Sequence, residues 1–435
     1  MAEVKPFRGV RYNKSMVGDL SAVICPPYDI ISPQMEEELY RRSQYNFIRI
    51  ENGRPMPQDS TMDNKYTRSA ITLEEWLRKK VLIADQAPAI YAYDQHFIHS
   101  GREYRRRSLL ARVGLEEWAS NVVRPHEGTL AEAKSDRISL LWALRANTSP
   151  ILSMFEDKDE VVSSLLDKGT SGKPMINIEG YNAECHRLWA ITDPEILAGI
   201  GEFFTERPLY IADGHHRYES ALTYQREQKA IHVNAATDSA FNYTLMALVD
   251  FDDPGLLVLP PHRLIRGMPP AKLADLDVKL KAFFDIEEMP LSLPNIWKRV
   301  DRLLSDDSQI RLFLFGLDDK NLLLLTLRDF NRASQMMPYF HSPLYKKLDV
   351  SVVDHVILEE LLGMSSQDEV KISYNYNYRD AVKQVQSKEH QLAFIISPVR
   401  SWKIKEIADA GDRMPRKSTY FYPKLPSGLV INRLV

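Results

Sequence analysis

Residues 209–225 read LYIADGHHRYESALTYQ, and the fold turns on how that stretch is parsed. Leu209, Tyr210, Ile211 and Ala212 form a short apolar run of the kind buried in a sheet. Asp213-Gly214 interrupts it, and from Tyr218 to Gln225 the pattern is helical. A strand that feeds a helix through Asp-Gly-His-His-Arg puts the helix N-terminus at the seam. Such an end concentrates positive partial charge and backbone N–H groups without intrahelical acceptors, which suits an anion. Gly214 lets that anion reach the backbone, Arg217 can grip two phosphate oxygens, and His215 and His216 add donors or a metal ligand. Asp213 can hold a divalent cation, orient a histidine or exchange a proton. A plain turn with one buried and one surface histidine is the competing explanation.

A second cluster is VRPHEGTLAEAKSDR, residues 123–137. Its Pro125-His126-Glu127 reads as a loop before a helix, and Glu127 is a candidate general base for a hydroxyl. Lys134 and Arg137 stand three apart on that helix and share a face, either to neutralise phosphate or simply to meet solvent. In VICPPYDIIS, Tyr28 and Asp29 follow a rigid Pro26-Pro27 and are either substrate-facing or part of a turn. LPPHRLI puts His262 and Arg263 on a strand edge, with the same two readings. KSTYFYPK, residues 417–424, sets Lys417, Ser418 and Thr419 among aromatics without the glycines of a P-loop. It reads either as a lid touching phosphates or as ordinary surface. Cys25 is better explained as a small buried residue than as a nucleophile.

At 435 residues the chain exceeds one ordinary core, and 44% hydrophobic with 26% charged residues is a globular composition. A net charge of -3 gives no general pull toward nucleic acid or an acidic membrane. Two cysteines outside any CxxC argue against a disulfide scaffold or a structural zinc. MAEVKPFRG lacks a signal peptide's apolar centre, and no run nears the roughly 18 apolar residues of a span, so a cytoplasmic setting is expected. The patterns predict an α/β (α+β) chain in three stretches: an N-terminal α/β region 1–120, a catalytic core 121–265 and a C-terminal α/β domain 266–435. Within them Ser60 should cap a helix that buries Ile71, Trp76 and Leu77, and Gly101 should turn a hairpin. Asp193 should cap another helix, residues 270–284 should form one helix, and Gly363 should end the helix before it.

A Pro-His-Glu loop, a helix, a strand opening Ser-Pro-Ile, then a strand running into Asp-Gly-His-His-Arg is similar to the ParB/sulfiredoxin-like superfamily. That family's phosphate signature, Gly-x-x-Arg at a helix start, is matched by Gly214 and Arg217. Within it the chain resembles the free serine kinase branch over roughly residues 120–250. The whole chain also resembles a prokaryotic domain-of-unknown-function family with KPFRG, CPPYDIIS, Pro-His-Glu, ADGHHRYE, LPPHRLI and KSTYFYPKL. Some of its relatives are identified as serine kinases driven by pyrophosphate.

The resemblance implies L-serine as substrate, O-phospho-L-serine as product, and Mg2+ with pyrophosphate or an adenine nucleotide as donor. It implies Glu127, Asp213 and His216 as catalytic residues, with Asp213 also on the metal. Phosphate would meet Gly214, His215, Arg217, Lys134, Arg137, Lys417, Ser418 and Thr419; substrate would meet His126, Thr129, Tyr28 and Asp29. About 50 residues separate the Ser-Pro-Ile strand from the DGHHR strand, unlike in the kinase branch, which leaves the donor open. A donor without a base calls for many cations, and Arg102, Arg105, Arg106, Lys417 and Lys424 supply them unless they are ordinary surface. The alternative is a ParB-like, nucleotide-gated DNA-binding partition protein; no helix-turn-helix or basic surplus supports it, so nucleic acid is not expected as a partner. A sulfiredoxin-like enzyme would need a cysteine beside the motif, which neither Cys25 nor Cys185 provides. A homodimer is compatible with these readings.

Overall fold

The strand Tyr243–Asp250 is buried along seven of its eight residues because it has partners on both sides and both faces covered. It runs parallel to Ile151–Phe155 and antiparallel to Arg102–Gly114. The computed structural model describes residues 2–129, 131–181 and 183–435. It is a mixed α/β structure, as the sequence patterns predict. Contacts divide the chain into two units: Met1–Pro125, Thr129–Leu257 and Pro423–Val435 in one, His126–Gly128 and Val258–Tyr422 in the other.

The first unit is built on a nine-stranded sheet. From edge to edge it runs Val123–Arg124, Leu209–Asp213, Ile151–Phe155, Tyr243–Asp250, Arg102–Gly114, Ile90–His99, Glu184–Ile191 and Ile176–Tyr181, with Val4–Lys5 also on Arg102–Gly114. Strands from before and after residue 120 share this sheet. The contacts therefore do not separate 1–120 from 121–265. They break instead after Leu257, and they count Pro423–Val435 with the first unit. The expected hairpin forms with His99 opposite Arg102, and Ser100 (φ 50°) and Gly101 (φ 77°) make the two-residue turn. Asp193 caps its helix as expected, accepting from the N–H groups of Glu195 and Ile196.

Ser60 does not cap the next helix. That helix runs Lys65–Arg78 and is capped by Asn64, whose side chain and Thr67 form a reciprocal capping box. Its buried stripe is Ser69, Leu73 and Trp76, spaced four and three apart; Ile71 lies roughly 200° round the helix from Ser69 and is 67% exposed. The unit's core joins the sheet to its helices through Ile151, Ile211, Met246, Phe204 and Tyr218.

The second unit carries a six-stranded sheet ordered Phe284–Pro290, Asn321–Leu327, Arg311–Phe315, Leu392–Ile395, His262–Ile265, Ile372–Asn375. Its core includes Val300, Phe313, Leu324, Val382 and Ile395. His262 and Arg263 are not on an edge, since their strand has neighbours on both sides. Burial pushes the His262 imidazole down to about 3, and its Nδ1 accepts from the Ile396 N–H at 3.2 Å. Arg263 forks onto Asp354 with two bonds of 3.1 Å. The stretch 270–284 breaks into Pro270–Ala274 and Leu276–Leu280, with Asp275 between them. Val352–Leu361 winds with the wider i→i+5 pattern and is followed by Gly363 at φ 60°. Among the described residues no helix is long and apolar enough to cross a membrane.

Candidate functional site

In the first unit, the strand Leu209–Asp213 enters Gly214, and the helix His215–Ile231 begins at once. Gly214 has φ 101°, where an L side chain is strained, and an added Cβ would stand 3.0 Å from Nε and Nη2 of Arg217. The helix starts three residues before the apolar pattern does. Its first turn is polar, so periodicity cannot register it; the bond from the Tyr218 N–H to the Gly214 carbonyl at 3.0 Å does.

Arg217 folds back over this turn. Its Nη2 donates to Asp213 Oδ2 at 2.6 Å, and its Nη1 to Ser149 Oγ at 2.7 Å and the Pro150 carbonyl at 2.6 Å. The Ser-Pro-Ile opening thus supplies acceptors for the motif's arginine. The other Asp213 oxygen takes the Lys424 ammonium, whose Nζ also lies 3.8 Å from Asp29 Oδ2. Burial alone would raise the Asp213 carboxyl; Lys424 and Arg217 outweigh it and hold the group well below the usual carboxylate range. Lys424 was legible only as one of several surplus cations. Its backbone is fixed from below: Arg106 Nη2 donates to the Pro423 carbonyl at 2.7 Å and Gln95 Nε2 to the Lys424 carbonyl at 3.3 Å. Arg106 is 1% exposed, so it is not a surface cation.

Tyr28 lies under the Arg137 guanidinium at 3.8 Å. Burial pushes its phenol up to about 12 although Arg217 and Arg137 pull the other way. Arg137 does not share a solvated face with Lys134. It is buried and spent on Glu51, at 3.4 Å, and on Asp136. Lys134 reaches Glu219 at 3.5 Å, and the Thr129 hydroxyl donates to the same carboxylate at 2.6 Å. Glu219 had no signal in the sequence beyond being one acid on a helix.

A divalent ion held by Asp213 does not fit this donor set. Both carboxylate oxygens face cations, and among the described residues no three His, Cys, Asp or Glu side chains group to hold a metal.

The second unit contains the His-Glu loop and the Lys-Ser-Thr segment together. Glu127 Oε1 accepts from the Ser418 N–H at 3.2 Å and from the Thr419 hydroxyl at 3.1 Å. Thr419 Oγ1 is also 3.0 Å from His126 Nε2. An ionised carboxylate only accepts, so Thr419 donates its one proton to Glu127 and His126 donates to Thr419 through Nε2. The Met414 N–H donates to the His126 carbonyl at 2.7 Å, and the buried Ser418 hydroxyl to the Pro415 carbonyl. Lys417 is exposed. Ser418 and Thr419, expected on phosphate, are thus the donors that orient Glu127.

The geometry defines an α+β chain with a cationic, glycine-capped helix start in one unit and a clamped carboxylate in the other. Residues 4–351 match the family model described as "Protein of unknown function (DUF1015)", and the chain belongs to that family. Similar solved structures include a free serine kinase in complex with AMP, at 14% identity over 74% of this chain and 92% of that one, with a TM-score of 0.35. A conserved hypothetical protein from Pyrococcus furiosus gives 13% identity over 74% and 93%, at 0.36. C-terminally truncated SbnI from Staphylococcus aureus gives 10% over 73% and 84%, at 0.32. No curated protein matches the chain.

Proposed function

We propose that the chain is a phosphotransferase of ParB/sulfiredoxin-like ancestry that phosphorylates free L-serine to O-phospho-L-serine. The donor is pyrophosphate or an adenine nucleotide. The observation that carries the reading is the helix start at Gly214 with Arg217 and Lys424 gathered on Asp213. Asp213 aims the two cations; with Ser149 and Pro150 it takes three of the five N–H groups of the Arg217 guanidinium. Phosphate oxygens take the remaining donors together with the helix's partial positive charge. His215 and His216 flank them.

Glu127 is the base in this reading. It removes the serine hydroxyl proton as the new O–P bond forms and the bridging P–O bond of the donor breaks. Its fixed orientation by Thr419 and the Ser418 N–H supports that role. His126, Thr129, Tyr28 and Asp29 are the candidates for holding serine. Mg2+ then travels on the donor phosphates instead of being held by Asp213. The rate gain expected from such parts is mainly positioning and charge neutralisation.

The test is incubation of the folded chain with L-serine, Mg2+ and pyrophosphate, ADP or ATP in turn, followed by detection of phosphoserine. Product with at least one donor supports the reading. Folded protein that yields none with any donor overturns it.

A further inference from the structure

A cavity of about 570 Å3 lies wholly within the second unit, at one end of its sheet. It is walled by the loop 306–310, by Leu327 and Phe330, by Leu344 and residues 347–350, by residues 397–399, and by the helix Ser401–Asp409. That volume is in the range of small-molecule sites, roughly 300–1,000 Å3. Much of the wall is apolar and uncovered: Trp402 is 46% and Leu344 38% exposed.

The charges on the wall are unevenly matched. Asp306 pairs with Arg311, and Asp307 with Arg400. Asp349 has no such partner among the described residues. Its Oδ2 accepts from the Ser397 N–H at 3.3 Å, and burial pushes its carboxyl up to about 6 against the hydrogen bonds of Ser397 and the charge of Lys403. Lys403 acts on it only from beyond ion-pair distance, so the desolvated carboxylate is under-compensated and an ammonium would relieve it. Lys347 and Lys403 are the complementary case. Among the described residues neither has a carboxylate within ion-pair distance; Lys347 lies over the Phe330 ring at 6.0 Å, and Lys403, which feels the Asp349 charge from farther off, over the Trp402 ring at 5.6 Å. Glu406, also on the wall, is exposed to solvent.

An acid and bases that lack close partners, beside an open apolar wall, are the complement of one kind of molecule. We propose that this cavity binds a free α-amino acid with a large apolar side chain, its ammonium on Asp349, its carboxylate toward Lys403 and its side chain against Trp402 and Phe330. The proposal is independent of the phosphotransfer reading, whose residues lie elsewhere in the chain.

The test is a calorimetric titration of the full chain with three probes: L-phenylalanine, phenethylamine, which lacks the carboxylate, and 3-phenylpropionate, which lacks the amine. The expected result is saturable binding of one L-phenylalanine, with both analogues at least about tenfold weaker. Asp349→Asn should weaken L-phenylalanine about tenfold and remove its advantage over 3-phenylpropionate; Lys403→Met should remove its advantage over phenethylamine. No saturable binding of L-phenylalanine, or equal binding of the three probes to the unsubstituted chain, overturns the proposal without recourse to a variant. Undiminished binding to folded Asp349→Asn overturns it as well.

Discussion

Lys424 holds the Asp213 carboxylate although the two residues stand 211 positions apart in the chain. The contact ties the C-terminal segment to the strand–helix seam and leaves Asp213 with a cation on each oxygen. Lys424→Met should cost about 1–3 kcal/mol, because a largely buried carboxylate then keeps only Arg217. Asp213→Asn removes the demand for both cations, so the double variant should be less destabilised than the sum of the singles by about 1 kcal/mol or more. Urea unfolding of the four proteins at neutral pH gives the coupling. Strict additivity would mean that the pair is incidental.

Gly214→Ala tests the turn itself. The substitution places a side chain at φ 101° and a methyl 3.0 Å from the Arg217 guanidinium. Strain of this kind costs about 1–2 kcal/mol, and the methyl must also push Arg217 off its acceptors at Ser149 and Pro150. A lowered melting temperature and weaker pyrophosphate binding by calorimetry are expected together. Weaker binding without any loss of stability would place the fault in the ligand's approach, not in the turn.

Glu127→Gln separates base catalysis from binding. The amide keeps an oxygen for the Ser418 N–H and the Thr419 hydroxyl but cannot take a proton. Turnover of serine should fall by about 10²–10⁴-fold with the donor's KM little changed. Thr419→Val should do less, about tenfold, since it removes one of the bonds orienting the carboxylate and leaves the carboxylate itself. If the valine variant lost as much as the glutamine one, the hydroxyl would have to touch substrate.

Local signals in the sequence were legible and long-range ones were not. The seam at 209–217 and the hairpin turned by Ser100-Gly101 could be read because a glycine and the change of period lie within a few residues of one another. The Ser60 cap failed although it too is local. Ser60 and Asn64 are both good caps four residues apart; the reciprocal box with Thr67 starts the helix at Asn64, while the Ser60 hydroxyl accepts from the N–H groups of Met62 and Asp63 in the turn before it. The bond between Thr419 and Glu127 spans 292 positions, so nothing in either motif points to the other. His262 and Arg263 looked like edge residues because they are polar; two flanking strands and the Asp354 fork bury them. The same holds for Arg106, whose partners at 95 and 423 become neighbours only in the folded sheet.

Glu184 gives the chain a pH dependence near neutrality. Its carboxyl is pushed up to about 7 by burial, which outweighs the hydrogen bond from Gln95 and the charge of Arg106. His186 Nε2 lies 3.7 Å away but is itself pushed down to about 3 by burial, so it brings no charge near pH 7. The folded pKa exceeds the unfolded one, near 4.3, so below about pH 4 both states are protonated and the group costs nothing. As pH rises toward 7 the unfolded chain ionises first, and stability falls; above about 7 the whole cost is present. Glu184→Gln keeps an acceptor for Gln95 and removes that cost. Its stability relative to the unsubstituted chain should therefore be near zero at pH 4 and favourable by about 1–3 kcal/mol at pH 8. Urea unfolding at the two pH values measures it. A gain that is equal at both would show that the benefit comes from packing and not from an ionisation held back by burial.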